Sequence, residues 1–355
     1  MKILALDCGK NKSVFLDYQT ASGPREYGKV LTRTADIHDL LVARKPDVLV
    51  LEIGADAGWI YDIAAALSIP AKVANTNDER WHWKKTRNKN DRKDTLKMAQ
   101  MTENDTLPTV HMPDPKVRQW RSLIQYRHGL VDRRTAIKNS IRAIFERQGQ
   151  RLPCGHKAWT EAGIADWSKE ARPLADCPAL ELWRGALHEE LEQLKSVEKS
   201  IEIVEKKLDE LAAADARIKQ LKTAPCVGPR LSELVVATLD DPKRFKNGKQ
   251  VGAYAGLTPR QWQSGNSCRE GHISRMGNPI LREVLVEVCW LGIRTNKWMK
   301  QVYEDVRRGS DKRKKIAIVA VARRLLVRLW AMLRDGTDWK EPKARTVALE
   351  EAAPA

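Results

Sequence analysis

None of the six cysteines stands in a C-x-x-C pair; Cys8, Cys154, Cys177, Cys226, Cys268 and Cys289 are separated by tens of residues. That spacing argues against a zinc site and a disulfide framework and fits a reducing compartment. No stretch approaches the roughly 18 uncharged apolar residues of a membrane span. The opening run Met1–Asp7 is too short for the apolar segment of a signal peptide. The expectation is therefore a soluble, cytoplasmic protein with no membrane partner. No internal repeat and no low-complexity segment is present. Acid is also short: 63 Lys+Arg face 46 Asp+Glu, leaving a formal charge of +17. Solubility alone does not ask for so much, and an acidic polymer is the natural partner.

With 42% hydrophobic residues over 355 positions, the chain has material for two folded domains and a connecting element. Apolar runs at 2–7, 12–18, 29–33, 47–53 and 70–75 read as strands. Helical patterns lie at 35–44 and 59–67, and the dense Val/Leu/Ile run at 47–53 is typical of a buried parallel strand. This β-β-β-α-β-α-β order predicts a mixed sheet covered by helices. From Asp114 to Arg151 the pattern becomes helical, with ten Lys/Arg, Arg133 and Arg134 among them, against Asp114, Asp132 and Glu146. Residues 152–180, with three prolines and two glycines, read as a loop-rich joint.

Leu187, Leu191, Leu194, Val197, Ile201, Val204, Leu208 and Leu211 follow at 3–4 spacing, with one phase slip and a polar Asp215 before Ile218 resumes the phase. This is a coiled-coil pattern; a helical hairpin within one chain is the alternative. Helices are predicted at 279–294 and 313–334, and a frayed polar tail from about 341. The predicted domains are thus 1–151, a joint and coiled coil at 152–222, a second domain at 223–340, and the tail.

Two acids fall where acids are costly. Asp7 ends the first strand and Glu52 ends the buried one. Asp91 and Asp94 share one face of a helix starting near residue 90. Strand-end carboxylates also cap turns, and Asp91 also suits a helix N-terminus. Together the four give an all-oxygen donor set on a strand–strand–helix framework, which suits hard cations such as Mg²⁺ and two-metal phosphodiester chemistry. The neighbouring cluster Lys84, Lys85, Arg87, Lys89, Arg92 and Lys93 suits a phosphate backbone. In the second domain, residues 223–240 look like a helix-hairpin-helix element with Gly228 at the turn, although Cys226 stands where glycine is common; an ordinary αα-hairpin is the alternative.

The strings LALDCGK, VLVLEIG, IPAKVANTN and KNDRKDTLKMA, then AGLTPRQWQSG, GHISRMGN and Leu281-Arg282, resemble the DEDD transposases of insertion sequence family one-ten. Departures are Ile53-Gly54 for Ala-Thr, Thr95 for Ala, Gln263 for Ser and Asn266 for Gly. The resemblance implies a RuvC-like, ribonuclease-H-like first domain and an α-rich transposase domain. It implies Asp7, Glu52, Asp91 and Asp94 as metal ligands and Ser264 as a nucleophile forming a phosphoserine–DNA link. It further implies a composite site assembled between protomers of a dimer or tetramer, and a non-coding bridge RNA as guide in a bacterial cell. Arg260, Arg269 and Arg275 are the phosphate-binding candidates there, ahead of His272. The alternatives are a DNA invertase of the same fold, a Holliday-junction resolvase or nuclease that uses the four acids and water, and a non-catalytic nucleic-acid-binding protein.

Overall fold

A computed structural model describes residues 1–20, 23–81, 90–264 and 267–341. The chain divides into two compact units, Met1–Lys116 and Val117 onward.

The first unit is built on β1 (Lys2–Asp7), β2 (Lys12–Gln19), β3 (Arg25–Leu31), α1 (Thr34–Arg44), β4 (Val48–Glu52), α2 (Ala57–Ala66), β5 (Ala71–Ala74), α3 (Asp91–Glu103) and the two-residue β6 (Thr109–Val110). The sheet order is β3-β2-β1-β4-β5-β6. β1 and β4 run parallel, as do β4 and β5, while β2, β3 and β6 pair antiparallel. Strand alternation sorts the core into two layers. Leu4, Leu6, Leu49 and Leu51 pack with Ile37 and Leu41 of α1 and Ile60 of α2. Ile3, Ala5, Val48 and Val50 pack with Met98 and Ala99 of α3. A mixed sheet with helices on both faces agrees with the ribonuclease-H-like expectation. β3 starts four residues before the expected run.

The second unit is largely helical: α4 (Pro115–Arg147), α5 (Glu161–Trp167), α6 (Leu182–Ala213), α7 (Ala216–Leu221), α8 (Pro229–Leu239), α9 (Gly248–Tyr254), α10 (Pro279–Thr295), α11 (Lys297–Arg307) and α12 (Lys314–Asp335). One hairpin, β7 (Pro259–Ser264) with β8 (Ser267–Ile273), is inserted before α10. α8 is buried along its length from Leu231 to Leu239 and packs against α6, α7, α10 and α12.

Two expectations change here. The boundary expected at 151 falls instead at 116–117, because α4 shares its core with the second unit: Trp120, Ile124 and Leu130 pack among Ile201, Val204 and Leu208. The leucine seam of α6 is accordingly covered within the chain. Ile137, Ile141, Ile144 and Phe145 of α4 meet Leu187, Leu191 and Leu194. The pairs Arg127–Glu205 (2.9 Å), Lys138–Glu198 (3.4 Å) and Ser140–Glu190 (2.7 Å) tie the two helices antiparallel. Apolar seams do not specify their partner, and α4 is held close enough to fill this one. Leu211 is 37% exposed and Ala212 takes its place in the seam. Asp215 is no seam position but a helix break: its carboxylate accepts from Arg217 N at 2.9 Å and caps α7.

Candidate active-site residues

In the first unit the period of two decides where the acids go. Asp7 follows Ile3 and Ala5 on the α3 face of the sheet, and Glu52 follows Val48 and Val50 onto that same face. The parallel register pairs Leu6 with Leu51, so the two acids sit side by side at the carboxyl ends of neighbouring strands. α3 begins beside them. Asn90 caps it, its side chain accepting from Lys93 N at 2.9 Å. Asp91 and Asp94 occupy its first turn, in line with the buried stripe Thr95, Met98 and Thr102. The helix dipole favours carboxylates in that turn.

The electrostatics join all four. Burial, then the charge and hydrogen bond of Glu52, then the charges of Asp91 and Asp94 push the Asp7 carboxyl up to about 7. Cys8 is pushed up to about 12, by burial first and then by Asp56, Asp7 and Glu52, so its thiol is inert. Among the described residues no three His, Cys, Asp or Glu side chains are drawn into a metal-holding shell. The donor set is nevertheless all oxygen, and its crowding is the kind that a hard divalent cation relieves.

Lys97 was not singled out from sequence. It lies one turn beyond Asp94, 7% exposed, its ammonium donating to Trp81 O and standing 4.5 Å from the Trp81 ring centroid. Burial lowers its pKa, and the charge of Asp94 pulls it the other way. On an acid-rich helix start such a lysine reads as a surface ion pair. Only packing reveals a buried cation below the carboxylates. Arg92 and Lys93 are exposed at the same turn, with Arg92 over Tyr27 at 5.4 Å. Lys84, Lys85, Arg87 and Lys89 lie outside the described residues.

In the second unit Ser264 ends β7 and pairs with Ser267 across the hairpin tip. The hairpin's root is a backbone clasp. Gly256 (φ 68°) and Gly277 (φ 102°) are in left-handed conformations, and a Cβ on either would run into backbone, of Met276 or of Tyr254 respectively. Arg275 N donates to Gly256 O at 3.2 Å, and Arg282 donates to the carbonyls of Ala255, Gly277 and Asn278. Arg260, Arg269 and Arg275 are exposed, with Arg260 donating to Ser274 O at 3.3 Å. Gly228 caps α8, with Pro229 as its first residue. Cys226, where glycine was expected, holds the glycine-like φ of 64°.

The basic helix α4 is less free than its composition implied. Arg121 caps α8 through the carbonyls of Ala237 (2.5 Å) and Thr238 (3.1 Å). Arg142 donates to Pro153 O at 3.1 Å and stacks over Trp159 at 5.3 Å. With Arg127 and Lys138 paired to α6, Arg133 (exposed) and Arg134 (half-buried) remain on the outer side.

A family profile of DEDD transposases of the IS110 type matches residues 29–148, and one described as the transposase IS116/IS110/IS902 family matches residues 218–304. The chain belongs to the IS110 family of DEDD transposases. It is 27% identical over 345 residues to the transposase of insertion sequence element IS1111A from Coxiella burnetii, covering 94% of this chain and 90% of that one. It is 24% identical over 342 residues to the transposase of element IS1328 from Yersinia enterocolitica, covering 94% and 97%. A putative transposase, y4rJ, of Sinorhizobium fredii is 28% identical, covering 82% of this chain and 78% of its own.

As an IS110-family transposase, the chain is a DNA-cutting and rejoining enzyme in the general sense. The first match contains Glu52, Asp91 and Asp94; the second contains Gly228 and the β7–β8 hairpin. All of α6 falls between them. Among the described residues no helix of this transposase is long and apolar enough to cross a membrane.

Proposed function

We propose that this transposase cuts and rejoins DNA through Ser264, with Asp7, Glu52, Asp91 and Asp94 holding divalent cations of the Mg²⁺ class. The observation that supports the metal assignment is the placement of the four acids: two strand-end carboxylates on one sheet face and a helix starting beside them with two more in its first turn. A hard cation held by these acids would supply Lewis-acid polarisation of an oxygen at phosphorus and would offset charge on a phosphorane-like transition state. In the cleavage step a bond forms between Ser264 Oγ and phosphorus, and one phosphorus–oxygen bond of the DNA breaks, releasing a strand hydroxyl. Attack of another strand's hydroxyl on the phosphoserine reverses the chemistry, so rejoining needs no external energy source. The +17 charge supports long phosphate contacts, with donor and target DNA and with a structured non-coding guide RNA for which Arg133 and Arg134 are contact candidates. An assembly of two or four copies is part of this reading.

A second reading is favoured by one observation: the four carboxylates alone suffice for a resolvase or nuclease that activates water. Ser264→Ala separates the two. On a nicked substrate carrying the element's end, the serine reading expects normal DNA binding but neither a covalent protein–DNA adduct nor a joined product. Denaturation and digestion of the wild-type adduct should yield a DNA-linked peptide containing Ser264. Cleavage by Ser264→Ala at the wild-type rate would make water the attacking group, and an adduct on Ser267 or Ser274 would move the nucleophile.

A further inference from the structure

Trp262 is 58% exposed, more than any other described tryptophan, on a two-stranded hairpin that has no core of its own to bury it. Its six-membered ring lies against the backbone of Gly271 on the partner strand, and any Cβ at position 271 would run into it. Glycine there lets the indole lie down on the strand and leaves much of the ring to solvent. Arg269 is directly across from Trp262 in the strand register, and Arg260 lies two residues before Trp262 at the bulge between Pro259 and Gln261. An exposed aromatic platform is thus flanked by the exposed Arg260 and Arg269, two positions from Ser264. The hairpin is rooted in the Gly256–Gly277 clasp, so the platform is held rather than trailing.

We propose that Trp262 stacks on one unpaired base of a DNA strand, with Arg260 and Arg269 taking the flanking phosphates. A flat apolar ring edged by cations matches a nucleobase edged by phosphates, and every base offers the same π-face whatever its sequence. A paired base hides that face in the helical stack. An unstacked one offers it, and strands being exchanged must come unpaired beside the cut. The position of this platform relative to the cut rests on the Ser264 reading, whereas stacking itself does not require cleavage, so its test is made without divalent cation.

The full-length chain is titrated with labelled oligothymidylate, with a duplex of the same length and with oligouridylate, and fluorescence polarisation is read. Trp262→Ala should weaken oligothymidylate binding by roughly fivefold to a hundredfold, the range for one stacked base. Duplex affinity should change by less than about twofold if no paired base reaches the ring. Trp262→Phe, which keeps a π-face, should retain most of the affinity, and Trp262→Leu, which keeps apolar cover over Gly271 without one, should lose it. Comparison of the melting curves of Ala and Leu variants with wild type separates lost stacking from a lost hairpin. The proposal is overturned if Trp262→Leu folds and binds oligothymidylate like wild type. It is equally overturned if duplex affinity falls in parallel, if Phe loses as much as Leu, or if the loss is confined to oligouridylate. A Ser264→Ala result of either kind leaves this outcome unaffected.

Discussion

Asp7 is held above its ordinary value of 3.8, at about 7, by burial and by three neighbouring carboxylates. A raised carboxyl pKa means that the folded chain binds this proton more tightly than the unfolded chain does. The stabilisation it contributes is fully present below pH 3.8 and is lost as pH rises through 7. Asp7→Asn should therefore raise the melting temperature of the metal-free protein at pH 8 and change it little near pH 4. Mg²⁺ should stabilise wild type more at pH 8 than at pH 5, since at the lower pH the cation must displace the Asp7 proton. Thermal melts at the two pH values, with chelator and with Mg²⁺, decide it: an equal Mg²⁺ shift at both, or an undiminished shift in Asp7→Asn, removes the cation from this site. The functional counterpart is Glu52→Ala, which should abolish strand cleavage while leaving DNA affinity near wild type, because binding rests on phosphate contacts made elsewhere. Full cleavage by Glu52→Ala in chelator would contradict the carboxylate chemistry.

The long helices carry a lesson about partners. The α6 seam has the spacing of a coiled coil, yet Ile201, Val204 and Leu208 are buried with Trp120, Ile124 and Leu130 of α4 in the same chain. Leu208→Ala should consequently behave as a core truncation, destabilising the second unit by about 2–5 kcal/mol. Light scattering below the melting transition should show an unchanged assembly size. If the mutant instead dissociates while keeping its melting temperature, the seam is an interface between copies. The same two helices explain why charge counting overestimates the basic face of α4. Arg121 and Arg142 spend their donors on carbonyls, and Arg127 and Lys138 on Glu205 and Glu198.

Over the whole molecule the surplus of cations remains, and its consequence is a salt dependence. If roughly six to ten phosphates are contacted, DNA affinity should fall by about a thousandfold or more between about 50 and 200 mM salt. Polarisation titrations across that range measure the slope. A flat response would leave the +17 charge without a nucleic-acid explanation. Removing a single outer cation such as Arg133 should lower the slope by about one contact without changing sequence preference.

Strand positions and the placement of the four acids are legible in the residues because each is governed by local rules, whereas Ser264 is singled out only by the resemblance. Period-two alternation and the dense 47–53 run give β1 and β4, and with them the placement of Asp7 and Glu52 at strand ends. An asparagine before Asp91 marks the start of α3. Other features depend on which surfaces meet across long sequence separations, and no local pattern encodes that. Only the tertiary structure showed that α4 belongs with the second unit, that α6 is covered by its own chain, and that Lys97 is buried below the carboxylates. It likewise showed that Gly271 clears a place for the Trp262 ring. A leucine stripe, a lysine or a tryptophan has the same identity in either setting; what surrounds it sets its energy, and hence its role.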